Sequence, residues 1–124
     1  MTTRSILILE HGRRWTPELQ RQFADEDVAV RGCRAAADMS VVYAAGERSL
    51  AIVDLVSAAA QSRAFFSALV DRGTHSPVIA IGSPGAAELE WVVRELGSDL
   101  FLPESVQGED LAAACRKFWS SQKR

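Results

Sequence analysis

The sequence lacks the features that mark several large classes of protein. It has only two cysteines, Cys33 and Cys115, which excludes a disulfide framework and a cysteine-based zinc site. Its formal net charge is -2 with acidic and basic residues mixed along the chain, so it lacks the positive surface that nucleic-acid binding requires. No apolar run approaches the roughly 18 residues of a membrane span, and no cleavable signal follows Met1. These absences predict a cytoplasmic protein with buried free thiols and neither nucleic-acid nor membrane partners.

The apolar residues follow strand-like and helix-like spacings in turn. The 124 residues suffice for one domain, residues 1–124. Short continuous apolar runs predict strands over residues 6–9, 28–30, 50–53, 77–81 and 100–102. The first helix is predicted to begin with Thr16 as its N-cap and Pro17 as its first residue. Later helices are predicted over residues 38–45, 65–70, 88–96 and 111–118. This alternation with short connections predicts a doubly wound α/β domain with a parallel sheet.

Polar residues follow several of the predicted strands at their carboxyl ends. In such a sheet, ligand-binding and reactive side chains gather at the carboxyl ends of the strands. Two carboxylates, Glu10 and Asp54, directly follow the first and third strands. We therefore predict a polar site at this edge, made by Glu10, His11, Asp54, Gly82, Ser83 and Glu104.

Four stretches resemble the receiver domains of two-component response regulators. Residues 6–11 (ILILEH) and 49–55 (SLAIVDL) resemble the family's first and third strands, and residues 77–83 (PVIAIGS) and 97–105 (GSDLFLPES) its fourth and fifth. The resemblance covers nearly the whole chain. It implies the flavodoxin-like (CheY-like) fold, with three α/β/α layers and five parallel strands in the order 2-1-3-4-5. It also implies a role in phosphorelay signalling, with Asp54 at the position of the phosphoaccepting aspartate.

The polar positions depart from the family's pattern. The family's pocket uses two acids to hold a magnesium ion, a hydroxyl after the fourth strand and a lysine after the fifth. Here His11 replaces the second acid, Gly82 replaces the hydroxyl beside Ser83, and Glu104 replaces the lysine. Neutral imidazole is a poor ligand for magnesium, and an anion in place of lysine opposes phosphate entry. The resemblance thus implies a degenerate pseudo-receiver, a phosphorylation-independent protein-interaction module that is no enzyme and needs no cofactor.

Other interpretations of the same residues remain open. In one, Asp54 is a functional phosphoacceptor, Glu10 and Asp54 hold Mg²⁺, and Ser83 supplies the missing hydroxyl. In another, His11 joins Glu10, Asp54 and Glu104 in a site for zinc, manganese or iron. An enzyme or nucleotide binder on the same fold has little support, because no Gly-x-Gly-x-x-Gly follows the first strand.

Two arginines suggest a clamp over this site. Arg13 and Arg14 follow the first strand closely, so either is expected to reach Asp54 or Glu104 and form a bidentate ion pair. Such a clamp would hold the domain permanently in the switched state of a receiver. The alternative is a pair of solvated loop arginines.

Aromatic residues near the end of the chain suggest an interface. In receivers, the face of the fourth helix, fifth strand and fifth helix is a common output and dimerisation surface, and Phe101 resembles the family's aromatic switch residue. Trp91 and Trp119 are candidate interface anchors on this face, with core packing as the alternative for each aromatic. The resemblance implies a protein partner, such as a histidine kinase or an output domain, or a homodimer formed through this face.

Overall fold

The computed structural model describes residues 4–39, 49–72, 77–83 and 98–121. The strands are β1 Arg4–Leu9, β2 Val28–Cys33, β3 Ser49–Asp54, β4 Val78–Gly82 and β5 Leu100–Pro103. The helices are α1 Trp15–Gln22, α2 Ala59–Arg72 and α3 Gly108–Ser121, and residues 36–39 are also helical. The predicted helix over residues 38–45 lies mostly outside the described residues. The predicted helix over residues 88–96, with Trp91, lies wholly outside them.

All five strands form one parallel sheet in the order β2-β1-β3-β4-β5. This order confirms the predicted doubly wound, flavodoxin-like fold. Strands β3 and β4 are buried along their whole length, as strands covered on both faces must be. The register pairs Leu9 with Val53 and Asp54 with Ile81, so the carboxyl ends of β1, β3 and β4 lie side by side.

The alternation of strand side chains divides the core into two parts, one on each face of the sheet. On one face, Ile6 and Ile8 pack with side chains of α1 and α3. On the other face, Leu7 and Leu9 pack with Phe65 and Phe66 of α2. Helices therefore cover both faces, and the described part of the chain has three layers, α/β/α.

The start of α1 differs from the prediction. The helix begins at Trp15, so Thr16 lies inside it and is not its N-cap. The cap comes instead from the end of β1, where the Glu10 carboxylate accepts hydrogen bonds from the N–H groups of Trp15 at 3.1 Å and Thr16 at 2.9 Å. Pro17 is the third helical residue, where a missing N–H leaves no helix hydrogen bond unmade.

The end of α3 corrects a second prediction. Trp119 is 3% exposed and packs edge to face against Phe23, with ring centroids 5.8 Å apart. The assignment of Trp119 to an exposed interface is therefore wrong, because spacings of four residues place Leu111, Cys115 and Trp119 on one buried stripe. Both cysteines are buried free thiols, as predicted. None of the described helices is long and apolar enough to cross a membrane.

Candidate functional site at the carboxyl edge of the sheet

The predicted polar residues lie along the carboxyl edge of the sheet. Glu10 directly follows β1, and its N–H donates to the carbonyl of Cys33 in β2 at 3.1 Å. Asp54 is the last residue of β3 and Gly82 the last of β4. Glu104 follows β5, and its N–H donates to the carbonyl of Gly82 at 2.8 Å. The topology thus collects these residues at one edge, as the strand-end pattern predicts.

Glu10 uses both carboxylate oxygens to hold the start of α1. Its Oε1 accepts from the N–H groups of Arg14 at 3.2 Å and Trp15 at 3.1 Å. Its Oε2 accepts from the N–H of Thr16 at 2.9 Å and from the Thr16 hydroxyl at 2.7 Å. A carboxylate offers about four lone-pair positions. All four are occupied in a side chain that is only 3% exposed, so none is left for a ligand.

Asp54 is held by the loop that follows it. Its Oδ1 accepts from the N–H groups of Val56 at 3.0 Å and Ser57 at 3.4 Å, which closes an Asx turn. Its Oδ2 accepts from the Ser57 hydroxyl at 3.0 Å. The residue is 5% exposed, so both oxygens are buried against their own loop.

Ser57 joins this loop to the neighbouring one, and sequence reasoning missed it. The main-chain N–H of His11 donates to the Ser57 hydroxyl at 3.2 Å, and that hydroxyl donates to Asp54. The loops after β1 and β3 are therefore tied together by one side chain. The available signal was a serine three residues after an aspartate, a spacing at which such side chains bond locally.

The position of the family's hydroxyl is filled by an aromatic ring. A Cβ atom built on Gly82 would lie 2.5 Å from Cζ of Phe101, so no side chain fits at Gly82 while the ring is there. Phe101 is half-buried and packs against the core on the α2 face of the sheet. Ser83 lies one residue beyond the end of β4 and is exposed.

The arginine clamp exists in a different form from the one predicted. The guanidinium of Arg14 lies 4.0 Å from the centre of the Trp15 ring and donates from Nη2 to the main-chain carbonyl of Glu104. It thus joins the start of α1 to the segment after β5. In the described part of the chain, no salt bridge involves the carboxylate of Asp54 or Glu104, so the predicted carboxylate acceptors are wrong.

This arrangement does not fit a metal ion. The oxygens of Glu10 and Asp54 already accept hydrogen bonds from the protein. Among the described residues, no three His, Cys, Asp or Glu side chains form a group that would hold a metal. His11 contributes only its main-chain N–H to the site, and its exposed side chain joins no such group. The geometry therefore fits neither the Mg²⁺ site of the alternative interpretation nor a zinc, manganese or iron site.

Comparison with solved structures shows what this chain is similar to. The receiver domain of the Francisella response regulator 1452 superposes with a TM-score of 0.81 at 12% identity, covering 97% of this chain and 99% of that one. The receiver domain of TorR, a response regulator of the TMAO respiratory system, gives 0.80 at 18% identity, covering 95% and 98%. The receiver domain of a signal transduction histidine kinase from Syntrophus aciditrophicus gives 0.76 at 19% identity, covering 98% and 93%.

These likenesses establish that the chain has the fold of a response-regulator receiver domain. No protein-family model matches the sequence. No curated protein matches it either. The shared features are therefore the backbone and its strand order, while the chemistry of the carboxyl edge has to be judged from this chain's own residues.

Proposed function

We propose that this chain is a receiver-like domain of two-component signalling that acts as a phosphorylation-independent protein-interaction module. In this proposal it works by binding and not by turnover, and it needs no cofactor. The observation that carries the proposal is the state of the Asp54 carboxylate, which accepts from Val56, from the Ser57 N–H and from the Ser57 hydroxyl. A nucleophile needs a free lone pair and activating neighbours, and here the loop donors use three of the roughly four lone-pair positions of the carboxylate.

The residues at the other family positions also support the proposal that Asp54 does not accept a phosphoryl group. Transfer of a phosphoryl group depends on cations and donors that neutralise its equatorial oxygens. Glu104 brings a negative charge to the position of the family's lysine, and Gly82 brings no hydroxyl. The guanidinium of Arg14 is stacked on Trp15 and bonded to the main-chain carbonyl of Glu104. The absence of the lysine and of the hydroxyl supports a role in which the domain binds a partner protein without phosphoryl transfer.

The proposed partner is a protein of the same signalling system, either a histidine kinase or an output domain, in the cytoplasm. One of the similar structures is the receiver domain of a histidine kinase, which supports this class of partner. A homodimer through the face that includes β5 and α3 belongs to the same proposal. Phe101 is partly exposed there and remains a candidate contact, whereas Trp119 is buried and is not. Trp91 lies outside the described residues.

Incubation with acetyl phosphate and Mg²⁺, followed by intact-mass measurement, tests the proposal. We expect no mass gain of one phosphoryl group on the wild-type chain. Asp54→Asn serves as the site variant, and Asp25→Asn, which removes an exposed carboxylate from the turn after α1, serves as the matched control. A base-labile phosphoryl group on the wild type and on Asp25→Asn, but absent from Asp54→Asn, would establish the alternative, a functional receiver phosphorylated on Asp54.

A further inference from the structure

A cleft of about 410 Å³ lies between α1 and the edge strand β2. Three arginines line it, one from the loop after β1 and two from the end of β2 and the residue that follows: Arg13, Arg31 and Arg34. All three are exposed at the surface. The volume falls in the range of about 300–1,000 Å³ that is typical of small-molecule sites.

The described residues do not neutralise the positive charge of this cleft. The described salt bridges join Arg21 to Glu18 and Arg116 to Glu26, and within the described residues none involves Arg13, Arg31 or Arg34. The one carboxylate in the lining is Glu10, whose lone pairs are all used by the start of α1. Three arginines therefore line the cleft together with one buried anion that cannot accept further bonds.

A second carboxylate lies near the cleft without pairing with its arginines. Burial raises the pKa of the Cys33 thiol in the cleft wall, with a further contribution from the negative charge of Asp38 and an opposing one from Arg31. Asp38 is exposed and forms no salt bridge with another described residue. Its charge offsets part of the field of the arginines but leaves their donors free.

Two glycines shape the cleft between the arginines. A Cβ atom built on Gly32 would lie 2.7 Å from the Thr16 hydroxyl, so the walls approach closely at this point and only glycine fits. A Cβ atom on Gly12 would meet nothing within 4 Å, so the cleft is open there. The polar side chains of the wall are already paired, since Thr16 donates to Glu10 and Gln20 donates to the carbonyl of Val30. No hydrogen bond within the described residues uses the guanidinium groups of Arg13, Arg31 and Arg34.

We propose that this cleft binds a small ligand with at least two oxyanion groups, phosphates or carboxylates, through Arg13, Arg31 and Arg34. A guanidinium donates paired hydrogen bonds to the oxygens of one phosphate or carboxylate. A ligand with a single negative charge would leave most of the three cations unpaired, which is why a multiply charged ligand fits better. The site uses neither Asp54 nor its loop, so the proposal is independent of whether Asp54 is phosphorylated.

Titration of the ¹⁵N-labelled chain with sodium pyrophosphate or with citrate, in metal-free buffer of low ionic strength, tests this site by NMR. We expect saturable shifts centred on the amides of Gly12 and Gly32. Tighter binding of pyrophosphate would identify phosphate as the preferred group, and tighter binding of citrate would identify carboxylate. Arg31→Gln and Arg34→Gln should each weaken binding about tenfold, the effect of losing a charge-assisted hydrogen bond.

Arg63→Gln is the matched control, because Arg63 is an exposed arginine on α2 that does not line the cleft. It should leave the affinity unchanged. Shifts that rise linearly without saturation for both anions would overturn the proposal. So would an equal loss of affinity in Arg63→Gln and Arg31→Gln, because this would show attraction by the total charge of the chain. The dispersion of the amide spectrum shows whether each variant is folded.

Discussion

Glu10 and Asp54 lie at the carboxyl ends of two neighbouring strands, and both are buried, yet their carboxylates stabilise different parts of the molecule. Glu10 accepts four hydrogen bonds from Arg14, Trp15 and Thr16 at the start of α1. Asp54 accepts three from Val56 and Ser57 in its own loop. The longer side chain of Glu10 reaches a helix N-terminus, where the helix dipole favours a negative charge. Glu10 therefore attaches a helix to the sheet, whereas Asp54 orders a turn.

This difference shows two ways in which donors of the protein use the oxygens of a strand-end acid. At Glu10 the competing donors belong to a helix that must start there, so releasing the carboxylate would expose several N–H groups at once. At Asp54 the competing donors belong to a short loop with Ser57 at its centre, and releasing the carboxylate requires fewer changes. The carboxylate of Asp54 is thus the easier of the two to release from its hydrogen bonds.

The largest expected effect on the free energy of unfolding comes from removing each of the two carboxylates in a separate variant. Glu10→Ala should lower the free energy of unfolding by about 3 kcal/mol, because it leaves three N–H groups and a hydroxyl without their charged acceptor. Asp54→Ala should lower it by only about 1–2 kcal/mol, since its donors lie in a loop that can turn toward water. Urea denaturation of both variants measures the difference. Equal losses would contradict the distinction between helix attachment and turn formation.

The surroundings of Asp54 are probed by Gly82→Thr. The new Cβ atom would lie 2.5 Å from the Phe101 ring, so we expect a loss of about 1–3 kcal/mol from overpacking. The loss should shrink in a Phe101→Ala background, where the space is free, and a double-mutant cycle measures that coupling. Ser83→Thr, one residue further along and exposed, is the control and should change little. Additive effects of Gly82→Thr and Phe101→Ala would show that the ring does not occupy this space.

Cys115 extends the comparison to a buried thiol whose pKa is set mainly by burial and only to a smaller extent by a hydrogen-bond donor. Burial raises the pKa of its thiol from the ordinary value of 9.0 to about 12. From pH 9 to 12 the unfolded chain releases this proton while the folded chain retains it, so stability falls as pH rises, by about 1.4 kcal/mol at pH 10. Cys115→Ala should show a shallower decline in urea denaturations from pH 8 to 10.5. The slopes are compared rather than the absolute stabilities, and identical slopes would contradict the prediction.

The smallest expected effect concerns the bridge between the two loops. Ser57→Ala removes the hydroxyl that donates to Asp54 and accepts from the N–H of His11. We expect a loss of about 1 kcal/mol in the free energy of unfolding, and faster amide exchange at His11, whose N–H loses its acceptor. Ser83→Ala removes an exposed hydroxyl and is the matched control. A loss as small as that of the control would show that the bridge contributes nothing.

The strands were predictable because their pattern is local. A strand buried on both faces requires a continuous apolar run, and β1, β3 and β4 each have one. The edge strand β2 was predicted to end at Val30 but extends to Cys33. The residues beyond Val30 include Arg31 and Gly32. An edge strand tolerates such residues, but they do not belong to an apolar run, so the apolar pattern did not predict them as part of the strand. The positions of Glu10 and Asp54 at one edge followed from the same reasoning.

The contacts of the site were not predictable in the same way. The N-cap of α1 was assigned to Thr16 because Pro17 follows it, but the N–H groups at the helix start are capped by Glu10, which directly follows β1. Arg14 was expected to pair with a carboxylate and instead reaches a main-chain carbonyl 90 residues further along the chain. In each case two or more acceptors competed, and their distances depend on how the elements pack.

The sequence by itself determined the type and order of the described strands and helices and the residues that follow each strand. These properties depend on apolar periodicity, which is set by neighbours a few positions away. Only the tertiary structure decided which donors use the oxygens of Glu10 and Asp54, and that Phe101 fills the space beside Gly82. Hydrogen bonds and ring contacts change over a few tenths of an ångström, and segments distant in the chain acquire such distances only when the whole fold has formed.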